Sequence, residues 1–192
     1  MVEVLHQLCR DHVYLRDLLD VIDDQIRFAT PEEPTDYRLL HAISEYILHY
    51  PTMVHEPKEV LIYSRILLRK PRAAERLQNW AAEHRHLAAL SKRFAAAIYH
   101  ARRNPDLPQE WVRQTADGYV RAYRRHIELE EIEFFPGALR HLFMDDWLEI
   151  DAEVTKPDHP VFGAALQCSF GALRRDIARM REQVSITCPP FR

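Results

Sequence analysis

The sequence predicts an all-α fold, an up-down-up-down four-helix bundle with an additional C-terminal helix. Two observations carry that prediction. Four stretches of about 26 to 35 residues repeat apolar side chains at i, i+3, i+4 and i+7, the period of an amphipathic helix and not of a strand. Only four glycines occur in 192 residues, and prolines cluster at the segment ends, where they punctuate helices. A third feature concerns chemistry: eleven histidines point to long helices carrying something that needs imidazole.

The breaks lie at TPEEPTD (Thr30 to Asp36), RKPR (Arg69 to Arg72) and NPDLP (Asn104 to Pro108). Short connections between long helices force sequence neighbours to run antiparallel. Asp36 is placed to cap the second helix, and Gln109-Glu110 after Pro108 suit the start of the fourth. Beyond Arg140 come an acidic, aromatic patch from Phe143 to Glu149, a TKPDHP break, and a shorter helix from about Val161 to Gln183. The expected organisation is a bundle over residues 1–141 and a packing helix with its tail over 142–192. Phe143, Trp147, Phe162 and Phe170 supply apolar area in that second part.

Composition narrows the class. A chain of 22.7 kDa with 47% hydrophobic and 29% charged residues is one soluble domain with at most a small appendage, not a disordered, collagen-like or disulfide-scaffold chain. At this size folding buries roughly 70% of the chain's surface, enough to hold a polar site without staples. Net charge is -3, the pI is near 6.4 and the Lys and Arg residues are scattered, so nucleic acid and anionic membrane are not expected partners. Cys9, Cys168 and Cys188 lack CxxC spacing and read as reduced thiols. MVEVLHQLCRDH has no basic segment followed by an apolar run, and no 18-residue apolar stretch exists, so the expected location is cytoplasmic.

The inward stripe of each helix is decisive, because a polar residue at a core position must be hydrogen-bonded, paired or bound to metal. The first stripe reads Val4/Leu5, Leu8, His12, Leu15, Leu19, Ile22 and Ile26. The second is Leu40, Ile43, Ile47, Pro51, His55, Glu59, Ile62 and Ile66. The third is Leu77, Trp80, His84, Leu87, Ser91, Phe94 and Ile98. The fourth is Val112, Thr115, Tyr119, Ala122, His126, Glu130 and Glu133. Each helix thus offers one inward histidine, and His55/Glu59 and His126/Glu130 add a glutamate one turn on, on the same face. Burying such a set uncompensated costs several kcal/mol per ionised group, whereas two cations absorb the carboxylate charge and use the imidazole lone pairs. Without a thiolate the set favours iron, manganese or zinc. Each metal would take two imidazoles, both glutamates would bridge, and a solvent-derived oxo or hydroxo bridge would leave an open position on each metal. A metal-free His/Glu hydrogen-bond network and a structural zinc site are the bland alternatives.

At these residues the chain resembles the hemerythrin-like (HHE cation-binding) family. RDHVYLRDLLD (Arg10 to Asp20), YPTMVHEPKEVLIY (Tyr50 to Tyr63), AEHRHLAAL (Ala82 to Leu90) and RRHIELEEIEFFP (Arg124 to Pro136) look like that family's four ligand-bearing helices in order. The resemblance implies a non-haem di-iron centre with His12, His55, His84 and His126 as iron ligands and Glu59 and Glu130 as bridges. It also implies oxygen, nitric oxide or peroxide as the small ligand, in binding, sensing or stress response. The oxygen-carrier branch has HxxxH on the third helix, but here Ala88 stands four after His84, which opens a metal position and puts simple oxygen storage in doubt. His86 points about 200° away from His84 and reads as a surface residue. The pattern instead resembles the branch with four histidines and two glutamates, which includes proteins of nitrosative-stress repair of iron-sulfur clusters and iron sensors. A di-iron oxidoreductase is therefore the rival reading, and a structural bundle with zinc or no metal is the third. A homodimer is compatible with the sequence, which does not require one.

Around this set, Tyr63, Tyr119 and Tyr123 are either partners of a bound ligand or core aromatics. Glu56 and Glu133 are either ligand-supporting carboxylates or exposed charges. Pro57 is expected to disturb the helix at the site. Cys9 reads as an inert thiol, and His6, His41, His49, His100, His141 and His159 as surface residues.

Overall fold

The computed structural model describes residues 2–30, 34–72, 80–104, 106–156 and 164–187, apart from the side chains of Ala81, 164–167 and 183–187. Helix α1 spans Glu3–Arg27 and α2 Tyr37–Tyr50. A π-helical turn, Pro51–His55, leads directly into α3, Glu56–Arg69. Then come α4, Trp80–Arg103, and α5, Gln109–Leu129, which runs through a second π-helical turn, Glu130–Phe134, into α6, Phe135–His141. Helices α7, Met144–Val154, and α8, Ala164–Thr187, follow. No strand occurs among the described residues. Around the ring α1 packs on α2, α2 on α4, α4 on α5, and α5 back on α1. This is the all-α bundle that the stripes predict.

The Asp36 carboxylate caps α2 by accepting from the Arg38 and Leu39 amides at 2.9 and 3.1 Å, satisfying donors that a helix start leaves orphaned. The first turn of α1 is capped from a distance: Asp151, in α7, accepts from the Val4 amide at 2.9 Å and the Glu3 amide at 3.3 Å.

Both π turns end two residues before a proline. The Glu56 amide bonds to the Pro51 carbonyl and Pro57 follows; the Phe135 amide bonds to the Glu130 carbonyl and Pro136 follows. A helical proline lacks the amide and crowds the carbonyl four residues back, and widening the turn relieves that clash. The wider turn also corrects the facing of side chains. In a pure α-helix three successive steps of four residues drift by ~120°, yet Ile47, Pro51, His55 and Glu59 are all buried, as are His126, Glu130, Phe134 and Ala138. The sequence suggests a disturbance at Pro57; the structure makes it a π turn and repeats it before Pro136.

The apolar core falls into two clusters. One holds Leu15, Leu19, Ile22, Ile43, Ile47, Phe94 and Ile127 with Phe170 and Ile177 of α8. The other holds Val4, Leu8, Ile62, Ile66, Phe134 and Phe135 with Trp147, Ile150 and Val154 of α7. Along α1 the polarity changes at His12, between Leu8 and Leu15. On α2–α3 it changes at His55 and Glu59, between Ile47 and Ile62. His12, His55 and Glu59 therefore lie where the two cores meet.

Some expectations are corrected. The Phe143–Glu149 patch forms the N-cap, Phe143, and the first turns of helix α7, whose Trp147 is buried at 4% exposure while Phe143 stays out. Ile26, Thr115 and Ala122 are only half-buried, and the inner face of α5 also includes Ala116, Val120, Tyr123 and Ile127. His41 and His141 are half-buried, not surface residues, whereas His6, His49, His86 and His100 are exposed. Leu77, His159, Phe162 and Cys188 lie outside the described residues.

Candidate metal centre

His12, His55, Glu59, His84, His126 and Glu130 are all buried, none more than 8% exposed. The fold converges them into two groups, His12/His55/Glu59/Glu130 and His84/His126/Glu130, each with its donor atoms within 4.8 Å of one another. Glu130 belongs to both. Glu59 reaches from the first toward the second, its Oε2 lying 3.1 Å from His84 Nε2.

Every imidazole turns Nε2 into the cluster. His12 Nε2 lies 3.1 Å from Glu130 Oε2 and 3.2 Å from His55 Nε2. His126 Nε2 is 2.9 Å and His84 Nε2 is 3.5 Å from Glu130 Oε1, and His55 Nε2 is 3.4 Å from Glu59 Oε1. Yet Glu59 Oε1 and both Glu130 oxygens lack a partner with hydrogen-bond geometry. These three carboxylate oxygens are thus ringed by imidazole nitrogens without bonding to any of them. With metal-ligand bonds of ~2.1 Å, adjacent ligand atoms stand ~3.0 to ~3.4 Å apart, the spacing found here. The donor set thus fits divalent or trivalent cations.

Outward-facing Nδ1 atoms are held by other partners. His55 Nδ1-H donates to Asp11 at 3.4 Å, His12 Nδ1-H to Glu131 at 3.0 Å, and His84 Nδ1-H to the Trp80 carbonyl at 3.0 Å. Such bonds fix the tautomer that leaves Nε2 free to ligate, and anionic partners raise its basicity. Trp80 also stands edge-on to His84, ring centroids 4.2 Å apart, and stacks on Tyr63.

The electrostatics are those of a site built for positive charge. Burial depresses the imidazolium form of His55, but Glu59 and Asp11 outweigh it and push the group up to about 10. His84 is likewise pushed up to about 10 against its burial, by Glu130 and Glu59. Burial would raise Glu130, but the imidazoles of His12, His126 and His84 crowded against its two oxygens hold it well below the usual carboxylate range.

A pocket opens beside the second group, lined by His55, Glu56, His84, Ala88, Tyr123 and His126 among others. Ala88, the position of the absent fifth histidine, is on its wall. Of the tyrosines singled out in the sequence, Tyr123 lines this pocket, Tyr119 stacks on Phe94 at 5.1 Å, and Tyr63 supports Trp80. Glu56 is half-buried on the pocket wall, its carboxyl raised chiefly by burial. Glu133 is exposed: its place near the site is taken by Glu131, which also receives the Arg16 fork at 2.8 and 2.7 Å. Cys9 is half-buried with its thiol pushed up, first by burial and then by Glu131.

The hemerythrin HHE cation-binding domain matches residues 3–138. The chain belongs to the hemerythrin HHE family. That match spans the bundle into α6 and stops before α7 and α8. No curated protein and no solved structure matches the chain significantly. No helix among the described residues is long and apolar enough to cross a membrane.

Sequence reasoning missed Asp11 and Glu131. Both sit next to a candidate ligand in sequence, Asp11 before His12 and Glu131 after Glu130, and therefore about 100° off the stripe. Asp11 serves His55, on another helix, and not its own neighbour.

Proposed function

We propose that this hemerythrin HHE chain holds two irons on His12, His55, Glu59, His84, His126 and Glu130 and binds a small ligand (oxygen, nitric oxide or peroxide) as a sensor. The carrying observation is the pair of buried donor groups sharing Glu130, with a pocket on the His84/His126 side. Mixed imidazole and carboxylate donors without thiolate suit iron. Two irons would supply reversible coordination of a small ligand and one-electron exchange.

The chain's own residues do the rest. Glu59 and Glu130 bring the negative charge that offsets two cations in a buried site. Asp11 and Glu131 orient the imidazoles of one half through charged hydrogen bonds to Nδ1, whereas the Nδ1 of His84 on the other half is held by a neutral carbonyl. The halves are therefore electronically unequal, and the pocket is lined by both histidines of the less strongly supported one together with His55. Ala88 leaves room there, and Tyr123 and Glu56 offer polar groups to a bound molecule. Residues 142–192 act as a packing addition to the bundle of 1–141.

Metal content after anaerobic purification and ferrous reconstitution, with absorption spectra before and after air, tests this reading. Near two irons per chain and an air-dependent charge-transfer band are expected. One zinc or no metal overturns it. Sustained consumption of peroxide or nitric oxide with an electron donor would replace the sensor by an oxidoreductase at the same residues.

A further inference from the structure

Helix α8 lies outside the family match, which ends at residue 138, yet it reaches the candidate metal centre. Phe170 and Ile177 anchor it in the core, Phe170 meeting Tyr50 and Tyr46 edge-on at 5.1 and 5.8 Å. Between these anchors Arg174 enters a cage of tyrosines, its guanidinium 4.4 Å from the Tyr14 ring, 4.9 Å from Tyr50 and 5.3 Å from Tyr46. Its Nε-H donates to the Tyr46 hydroxyl at 2.6 Å and its Nη2-H to Asp11 Oδ1 at 3.3 Å.

Asp11 is buried at 5% exposure, and its two oxygens have separate duties. Oδ1 accepts from Arg174 and from the Tyr50 hydroxyl at 2.6 Å. Oδ2 accepts from His55 Nδ1-H at 3.4 Å and Lys58 Nζ at 3.3 Å. Pinning Oδ1 fixes the rotation of the carboxylate, and that rotation decides whether Oδ2 faces the imidazole or swings to the ammonium. A planar fork can bridge a hydroxyl and a carboxylate at once, a geometry that lysine does not reproduce.

We propose that Arg174 is a positioning residue of the metal centre: α8 delivers it to Asp11 so that Asp11 holds His55 in the orientation and tautomer that bind metal. This rests on the reading of His55 as a ligand. Displacing α8 would then loosen one half of the site while leaving the other intact, making the helix outside the family domain a lever on the centre.

Cobalt(II) titration of the full chain, followed by visible absorption and by chelator competition, tests the link. Arg174→Gln and Arg174→Lys are each expected to weaken one of the two cobalt sites by up to ~10-fold, the low end of the range for removing a ligating histidine's own partner, because Arg174 acts through Asp11, and to leave the other unchanged. Asp11→Asn should affect the same site, with Arg174→Gln adding nothing to it. Arg181→Gln removes a second attachment of α8, the ion pair with Asp17, and should lower melting without moving cobalt affinity. If both Arg174 variants keep both affinities within twofold, or Arg181→Gln weakens cobalt equally, the positioning role is overturned while the di-metal reading stands. A wild-type chain that takes up no cobalt overturns both.

Discussion

His12 Nε2 and His55 Nε2 face each other at 3.2 Å, from positions 43 residues apart in sequence. The Nδ1-H groups of both rings are committed to carboxylates, Glu131 and Asp11. The facing nitrogens of neutral rings are then two lone pairs at contact distance in a buried site, and only a proton or a metal cation between or beside them makes the arrangement favourable. Glu59 and Glu130 add negative charge at the same place, so the cluster is a proton trap wherever it is not a metal site.

Proton competition follows directly. His55 and His84 are held at about 10, so at neutral pH both carry protons that a metal must displace. Filling both halves should release about two protons per chain, one for each metal, and the logarithm of each metal's apparent affinity should climb by about one per pH unit near neutrality. Calorimetry in buffers of different ionisation enthalpy measures the number released. Binding without proton release would contradict the assignment of these imidazoles as ligands.

The bundle and the six inward donors were legible because burial imposes a period, and a polar residue on an apolar stripe stands out against it. What escaped lay off the stripe. Asp11 and Glu131 are ordinary helix-surface acids by period, and only the crossing of α1 with its neighbours turns them toward imidazoles. Arg174 is one arginine among many on an amphipathic C-terminal helix, and nothing in its spacing announces three tyrosines around it. The π turns had a local signal, His55 two residues before Pro57 combined with four-residue steps along the buried face. Pro136 carries the same signal, with the buried Phe134 two residues before it.

Sharing of Glu130 makes the two glutamates unequal. Glu130 lies within 3.5 Å of Nε2 of His12, His84 and His126, whereas Glu59 contacts His55 and His84. Glu130→Ala should lose iron from both halves, and Glu59→Ala should lose at least one iron per chain while retaining more than Glu130→Ala. Elemental analysis after reconstitution reads this out. Full iron retention in both variants rules out the bridging assignment.

Ala88 offers a gain-of-ligand test. It sits four residues after His84, hence on the same face, and lines the pocket with His84 and His126. Ala88→His should place a fifth imidazole at that half, fill its open position, and weaken azide or nitric oxide binding to the iron-loaded protein at least tenfold. It should also slow iron loss to a chelator. Unchanged azide affinity would mean that small ligands do not bind on the pocket side.

The metal-free chain should show an acid-shifted stability maximum. His55 and His84 have folded values of about 10, above the ~6.5 of an unfolded histidine, so folding binds protons there. Their stabilisation is fully present below pH ~6.5 and is lost as pH rises toward 10. Glu130, Asp11 and Glu131 are depressed, so theirs is present above the unfolded carboxylate values of ~4 and disappears as pH falls through the folded ones. Between pH ~5 and ~6.5 both sets contribute, and the melting temperature in chelator should peak there and decline toward pH 10. Metal replaces those protons, so the iron-loaded protein should hold its melting temperature from pH 7 to 9, where the metal-free chain loses it. A metal-free chain that gains stability from pH 6.5 to 9 would show that the histidines are not proton-loaded, and the tension between His12 and His55 would need another source of relief.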